Sequence, residues 1–395
     1  MASLPTEVKI AKMTWLALRN SNLAIKLFHR DLESEFKKQQ EAGGVVNVKM
    51  PIKVQSALGR VAQTQAISQK TTPVKVDYQR HVCWSQNQVD ATLNKNPKTF
   101  YNEVIEPTAI ELSTQLDLDA FSMVKDVPNA IGTAGTTPST YLSIAQVAGR
   151  LTNLSVPLNK RKFVIDPDYQ VNMADEMKDI TGSKKVDEFM NEMNLGNLAQ
   201  FDFYISQNLP RVTAGVPDGT PLVNGANQTG SSIAIDGMTA AGTYKKGDIV
   251  MFASCYDVNP VNRVTQTYLK QFVVTTDFAG ASGNLGISPG IITEGAYKNC
   301  SASPANNDAI THKTNPSSGT TFMNNVAFVR NAFTLAVVPI EIPDMPGVGY
   351  TETREGISIT VTKGWDVKQY EMVYRADILY GFKTLDETLA CRHLG

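Results

Sequence analysis

The chain has 395 residues, of which 42% are hydrophobic and 8% aromatic, which is enough material for two or three domains with their own cores. Only 19% of the residues are charged, below the ~25% of typical soluble proteins, so uncharged polar residues cover much of the surface. The formal net charge of −1 argues against a protein that binds mainly to nucleic-acid phosphates. A surface with few ions can be covered by a partner at low desolvation cost, and the composition therefore favours large interfaces.

Three features of the sequence bear on the cellular location of the protein and on the state of its cysteines. No run of 18 apolar residues occurs, so we expect no transmembrane helix. The first twenty residues lack the apolar core and small-residue cleavage site of a signal peptide, so we do not expect secretion. The cysteines are far apart and form no CxxC pair, which predicts buried, inert thiols at Cys83, Cys255, Cys300 and Cys391.

The N-terminal segment, residues 7 to about 38, is predicted to be helical. Its apolar side chains recur at spacings near three and four, at Trp15, Leu16, Leu23, Leu27 and Phe28. The run Asn20-Ser21-Asn22 is a candidate break that would divide the segment into two helices.

A long hairpin is predicted next, from the alternating segments 45–54 and 73–84. From Gly43 to Val76 the chain has no acidic residue and five basic ones: Lys49, Lys53, Arg60, Lys70 and Lys75. Ten residues of strand reach roughly 33 Å, and an isolated two-stranded hairpin is not stable in water. The hairpin must therefore lie on the rest of this chain or on a neighbour.

The longest predicted helix covers 100–124, with an apolar stripe at Ile105, Ala109, Leu112, Leu116 and Phe121. Pro107 indicates that the helix either begins nearby or kinks. The segment 130–138, rich in Gly, Thr and Pro, is predicted to be a linker.

Helices and strands then alternate: we predict helices at 139–151, 169–180 and 183–196, and strands at 161–167 and 200–210. From Gly215 to about Asn325 the composition shifts to Gly, Ser, Thr, Asn and Pro, with strand-like runs at 232–238, 248–253, 269–276 and 290–294. This pattern predicts an inserted all-β domain. Segment 332–343 is expected to resume the interrupted sheet, and 357–362 and 370–382 to form two neighbouring strands.

Three motifs partly match the patterns of active sites or metal sites. Gly286-Ile-Ser-Pro-Gly290 matches the GxSxG nucleophile elbow, but Pro289 has no N–H for an oxyanion hole, and its surroundings predict a loop. The pairs His81/Cys83 and Cys391/His393 could supply four zinc ligands, but their i, i+2 spacing is unusual, and unrelated residues are the better interpretation. Ser122 and Lys125 fit SxxK at the end of a helix, without companion motifs. We therefore expect no enzyme, and no catalytic, cofactor-binding or metal-binding residues.

The order of these segments resembles the major capsid (coat) proteins of tailed double-stranded-DNA bacteriophages, and most closely the podovirus coat-protein family with an insertion domain. Four stretches carry the resemblance: HRDLESEF, KKGDIVMFASCYDVNPVNR, NVAFVRNAFTLAVVPIEIP and YRADILYGFKTLDETLACR. The resemblance extends over nearly the whole chain and is weakest at 277–320.

The resemblance implies an α+β tailed-phage major capsid fold. Its parts would be an N-terminal arm at 1–42, an extended loop hairpin at 43–84, a peripheral domain with a spine helix at 85–136 and 351–395, an axial domain at 137–214 and 326–350, and an inserted β domain at 215–325. In such proteins the extended loop lies across an adjacent subunit. Lys49, Lys53, Arg60, Lys70 and Lys75 would then be intersubunit contacts, and the C-terminal strand would complete the peripheral sheet.

The implied function is structural: self-assembly into pentamers and hexamers of an icosahedral phage head. The implied partners are further copies of the chain, a scaffolding protein during assembly, a portal protein at one vertex, and double-stranded DNA enclosed without sequence-specific binding; no cofactor, membrane or covalent cross-link is expected. The location would be the virion, after assembly in the host cytoplasm. The alternative, a β-rich surface-binding or adhesin-like module, explains the polar composition but not the helix-bearing frame.

Overall fold

The computed structural model describes residues 6–30, 44–54, 69–87, 101–177, 196–314, 319–342 and 348–395, with residues 56, 60 and 64 between them. Its α-helices within these ranges are α1 (Thr6–Ser21), α2 (Ala24–Leu27), α3 (Glu106–Phe121), α4 (Tyr141–Asn153) and α5 (Pro167–Met177). Of the predicted helix at 183–196, residues 183–195 lie outside the described residues.

The strands are short and numerous. The first eight are β1 (Val45–Lys49), β2 (Thr71–Lys75), β3 (Tyr78–Asn87), β4 (Ala130–Gly132), β5 (Arg161–Ile165), β6 (Asn197–Leu198), β7 (Phe201–Ile205) and β8 (Arg211–Thr213). The next ten, from the predicted inserted domain, are β9 (Gly219–Val223), β10 (Gly230–Met238), β11 (Thr243–Tyr244), β12 (Ile249–Phe252), β13 (Tyr256–Val258), β14 (Thr265–Leu269), β15 (Phe272–Val274), β16 (Phe278–Ala279), β17 (Gly283–Ile291) and β18 (Ile310–His312). The last six are β19 (Thr321–Val329), β20 (Phe333–Val338), β21 (Gly349–Arg354), β22 (Ile357–Asp366), β23 (Glu371–Thr384) and β24 (Ala390–Leu394).

The chain divides into two units by its internal contacts. The first comprises Met1–Lys49, Thr71–Phe121 and Phe333–Lys383, and the second Met50–Lys70, Ser122–Ala332 and Thr384–Gly395.

A five-stranded sheet forms the centre of the first unit. Its order is β20-β23-β22-β21, with β3 also paired to β23. The antiparallel pair β22 and β23, with Val361 opposite Ala376, confirms that 357–362 and 370–382 are neighbouring strands. Ile359, Val361 and Ile378 are fully buried on these strands, as the apolar alternation predicts.

Helices α1, α2 and α3 belong to the same unit. The break at Asn20–Asn22 is confirmed, since α1 ends at Ser21 and α2 begins at Ala24. The Asp117 carboxylate of α3 accepts hydrogen bonds from the N–H groups of Leu23 (3.1 Å) and Ala24 (2.8 Å), satisfying donors that a helix start leaves free. Pro107 lies in the first turn of α3, after a π-type turn at Tyr101–Ile105, so the helix begins near the proline.

A seven-stranded sheet organises part of the second unit, in the order β4-β24-β19-β5-β7-β6 with β8 also paired to β19. Helices α4 and α5 pack on it through a core that includes Phe163, Tyr169 and Phe201. The aromatic rings of Phe163 and Phe201 meet edge to face at 5.3 Å.

A six-stranded sheet with its own core occupies the predicted inserted region, in the order β18-β12-β15-β17-β10-β9. All its strands lie between Gly219 and His312, and its core includes Ile235, Tyr244, Phe252, Phe272 and Leu285. The all-β character of this region is confirmed. Two strand boundaries were wrong: 269–276 is divided between β14 and β15, and 290–294 contributes only its first residues to β17.

Two further expectations about the strands were wrong, and one strand was not predicted. The strand that returns to the seven-stranded sheet is β19, whereas β20, from the predicted segment 332–343, joins the five-stranded sheet. The linker at 130–138 contains β4, which runs parallel to β24. The last strand of the chain, β24, was not among the predicted elements, and it pairs with β19 in the second unit.

Candidate assembly interface

The extended hairpin is the surface that the sequence singles out for contact with another subunit. Strands β1 and β2 pair antiparallel, with Val46 opposite Val74 and Lys49 opposite Thr71. Val46 and Val74 are buried, while Lys49 and Lys75 are exposed. The predicted pairing of the two segments is confirmed over 45–49 and 71–75.

The second predicted strand, 73–84, is not continuous. It ends at Lys75 and resumes as β3, which leaves the hairpin and pairs with β23, with Tyr78 opposite Tyr380. A Cβ atom at Gly381 would overlap the Lys75 carbonyl oxygen and lie 2.8 Å from the Val76 Cα atom. Only glycine lets β23 approach the base of the hairpin this closely.

The five basic residues of the hairpin differ in their surroundings. Lys49, Arg60, Lys70 and Lys75 are exposed, and Lys53 is half-buried. Of the five, Lys75 is the one that forms an ion pair with a described carboxylate, 3.2 Å from Asp77, and both partners are largely exposed. Such exposed pairs contribute little, so the described structure leaves most of the hairpin's positive charge without an ion-pair partner.

Residues 50–54 contact the β-rich part of the second unit, which the sequence did not predict. The Val54 carbonyl accepts a hydrogen bond of 3.1 Å from Arg263, and the Lys53 ammonium lies 5.9 Å from the centre of the Tyr297 ring. Ile52 and Val54 nevertheless remain 42% and 71% exposed. No local pattern marks Arg263 or Tyr297 as contact residues.

The GxSxG motif does not form a nucleophile elbow. Ser288 lies within β17 opposite Val273, so the expected loop was wrong, and the motif is not a turn between strand and helix. Its hydroxyl donates a hydrogen bond to Glu387 at 2.9 Å. Burial raises the pKa of Glu387, and the hydrogen bond from Ser288 lowers it by a smaller amount. Ser288 therefore has a structural partner, and among the described residues its hydroxyl is hydrogen-bonded to a carboxylate and not to the histidine of a serine hydrolase.

The remaining candidate motifs are also unsupported. Ser122 and Lys125 lie in a single 3₁₀ turn after α3. Within the described ranges, no group of three or more His, Cys, Asp or Glu side chains is placed to hold a metal ion. Three cysteines are buried as expected, but Cys83 on β3 is exposed, because the alternation of that strand turns it outward. No helix in the described part of the chain is long and apolar enough to cross a membrane.

Comparison with known protein families matches residues 37–390 to the model described as P22 coat protein, gene protein 5. No curated protein gives a significant match. Among solved structures, the chain is similar to one from Mycobacterium phage Che8, at 14% identity and a TM-score of 0.51 over 94% of this chain and 90% of that chain. It is also similar to the capsid of Ralstonia phage GP4, at 9% identity and a TM-score of 0.47 over 89% of this chain and 83% of that chain. The Che8 similarity shows a shared fold.

Proposed function

Because the chain belongs to the P22 coat-protein family and is a structural subunit of a bacteriophage capsid rather than an enzyme, we propose that it assembles into pentamers and hexamers of an icosahedral head. The observation that carries this proposal is the family match over residues 37–390. The same match decides against the adhesin-like alternative, and the α+β capsid fold expected from the sequence is confirmed.

The hairpin is proposed to bind a neighbouring subunit. Its β1–β2 pair is a separate two-stranded sheet in the described structure, and such a pair gains stability by lying on another surface. The exposed side chains of Lys49, Arg60, Lys70 and Lys75 favour a neighbour with acidic groups at the contact. Lys53 belongs to the same proposed contact set.

The parts of the subunit are proposed as the resemblance implies them. The arm is 1–42, the extended loop 43–84, the peripheral domain 85–136 with 351–395, the axial domain 137–214 with 326–350, and the inserted domain 215–325. The contiguous six-stranded sheet between Gly219 and His312 supports the last of these.

A scaffolding protein during assembly, a portal protein at one vertex and enclosed double-stranded DNA are the proposed partners, with assembly in the host cytoplasm before the chain becomes part of the virion. The net charge of −1 supports a shell that encloses DNA without binding its phosphates tightly.

Electron microscopy of the expressed chain, with and without a co-expressed scaffolding protein, tests the proposal. Closed shells with the scaffold, and aberrant spirals or shells without it, are expected. Discrete monomers under both conditions would contradict assembly.

A further inference from the structure

A cleft of about 570 Å³ lies in the second unit between α4 and the strands of the inserted region. Arg150 and Gln146 of α4 line one wall, and Tyr268, Gln271 and Lys313 line the other. The volume is in the range of small-ligand sites, roughly 300–1,000 Å³. Neither the assembly function nor any motif in the sequence accounts for it.

Positive charge exceeds negative charge around this cleft. The Arg150 guanidinium lies 3.8 Å from the centre of the Tyr268 ring, and its Nη2 atom is 3.4 Å from an Asp257 carboxylate oxygen. The same carboxylate is 2.9 Å from the Lys270 ammonium, so two cations share one anion. Lys313 adds a third cation, and it has no ion-pair partner among the described residues.

One buried hydrogen-bond donor in the cleft lacks an acceptor. Arg150 is only 6% exposed, yet its Nε–H has no hydrogen-bond partner in the described structure. The Tyr268 hydroxyl lies near Asn153, which also lines the cleft. The Asp257 carboxylate oxygen 3.4 Å from Arg150 is held by charge alone and has no hydrogen-bond partner there. Buried donors are normally satisfied, so the Arg150 Nε–H calls for a further acceptor. Burial, and secondarily the nearby Arg150 charge, lowers the pKa of Lys313, as expected where cations crowd together.

We propose that this cleft binds a small oxyanion of the phosphate type. Its oxygens accept hydrogen bonds from Arg150, Tyr268 and Lys313, and its charge offsets the excess of cations. Because Arg150 lies on α4 and the other two residues lie in the inserted region, the bound anion ties that region to the helix. This inference is independent of the proposed assembly, since it concerns the single subunit.

Titration of unassembled full-length subunits with inorganic phosphate tests the site. Thermal melting is followed against sodium chloride at equal ionic strength, which separates specific binding from screening. We expect a saturable rise in Tm with phosphate and none with chloride. Arg150 is left intact, because removing it would leave Asp257 with one cation fewer in a buried site.

Three variants make the test specific. Lys313→Gln should weaken the apparent Kd for phosphate about tenfold, and Tyr268→Phe should weaken it by a smaller factor. Lys246→Gln removes an exposed lysine of the same region outside the cleft and should leave phosphate binding unchanged. Circular dichroism in the absence of phosphate verifies that each variant is folded. The site is excluded if chloride gives the same rise in Tm, or if both Lys313→Gln and Tyr268→Phe bind phosphate as the unmodified chain does.

Discussion

The Tyr380 hydroxyl donates a hydrogen bond of 2.5 Å to the Asp119 carboxylate, which connects β23 to α3. Arg80 of β3 donates to the same carboxylate through Nε and Nη2, each at 2.9 Å. Burial and the neighbouring Asp119 charge raise the pKa of Tyr380, so its hydroxyl remains a donor at neutral pH. One carboxylate therefore joins the long helix to two strands of the five-stranded sheet.

Replacing Asp119 should destabilise the subunit without unfolding it. Asp119→Asn should lower the free energy of unfolding by about 2 kcal/mol, because hydrogen bonds to a charged group are lost while the shape is kept. Tyr380→Phe should cost about 1 kcal/mol. Urea unfolding of unassembled subunits measures both. Tyr370→Phe, at a 59% exposed position in the turn between β22 and β23, is the control and should change stability little. A Tyr380→Phe cost no larger than the control's would contradict the role given to Asp119.

His393 should make the subunit sensitive to mild acid. Burial lowers the pKa of His393 to about 3, and its Nδ1 atom lies 3.0 Å from the Tyr169 hydroxyl. The unfolded chain takes up a proton near pH 6.5, whereas the folded chain does not until about pH 3. The contribution of His393 to the free energy of unfolding is therefore fully present above about pH 6.5. Between about pH 6.5 and pH 3 this contribution falls by about 1.4 kcal/mol for each pH unit.

The urea midpoint between pH 7.5 and 4.5, compared with that of His393→Asn, isolates this contribution from the carboxylates. The variant should lose less stability over that range. Parallel pH profiles would show that His393 is protonated at its ordinary pKa in the fold.

The chain's end should be required for folding. Strand β24 lies between β4 and β19, and its fully buried Arg392 donates a hydrogen bond of 2.9 Å to the Gly247 carbonyl. Deleting Tyr374 to Gly395 removes this strand and most of β23, so we expect insoluble or unfolded subunits.

Hydrogen exchange on intact, unassembled subunits gives the sharper measurement. Amides of 375–382, paired to β3 and β22, should be protected, while the exposed turn at Val367–Tyr370 should exchange quickly. Fast exchange at 375–382 before assembly would mean that this strand orders only in the shell.

The segment 215–325 should fold alone, but with reduced stability. Its sheet and core are contiguous in sequence, so they remain when the segment is isolated. The isolated segment lacks the ion pair of Asp257 with Arg150 and the two hydrogen bonds between Gln271 and Ala130 (2.7 and 2.9 Å). A separately folding inserted domain would have few contacts across its boundary, and these buried contacts show that the boundary is not free of them. The isolated segment should give a cooperative melt below that of the subunit. A disordered amide spectrum would show that the region needs its surroundings to fold.

Reversing charge in the hairpin should impair assembly and spare the fold. Arg60→Glu with Lys70→Glu changes two exposed side chains of the proposed contact set. Each exposed pair contributes only ~0.2–1 kcal/mol, but the loss is repeated at every interface of a shell. The matched control is Lys246→Glu with Lys368→Glu, both outside the hairpin. Sedimentation should show fewer shells for the hairpin variant, and an unchanged number for the control variant. Equal shell yields for the two variants in moderate salt would show that the charges of the hairpin do not contribute to assembly.

Local periodicity was enough to predict the β1–β2 pair, the buried stripe of α3 and the β22–β23 pair, because each depends on residues close in sequence. It failed at β19 and β20, which follow each other closely in the sequence. A 3₁₀ turn at Arg330–Ala332 separates the two strands, and they join different sheets. Nothing local marks such a division.

The proposed contact set came from a charge pattern, the absence of acidic residues between Gly43 and Val76. The partners found in the chain itself, Arg263 for Val54 and Tyr297 for Lys53, could not be predicted. Contacts between residues this far apart in sequence leave no periodic signal. The same holds for Asp257 and its buried cations.

A reconstruction of assembled shells at side-chain resolution would show whether the hairpin binds a neighbouring subunit. We expect closed icosahedral shells in which residues 50–70 of each subunit contact an adjacent subunit, with Arg60 or Lys70 near one of its carboxylates. Shells in which this segment contacts only its own subunit, through Arg263 and Tyr297 as in the single chain, would contradict the proposed binding of a neighbouring subunit. Failure to form shells with any scaffold would contradict the assembly itself.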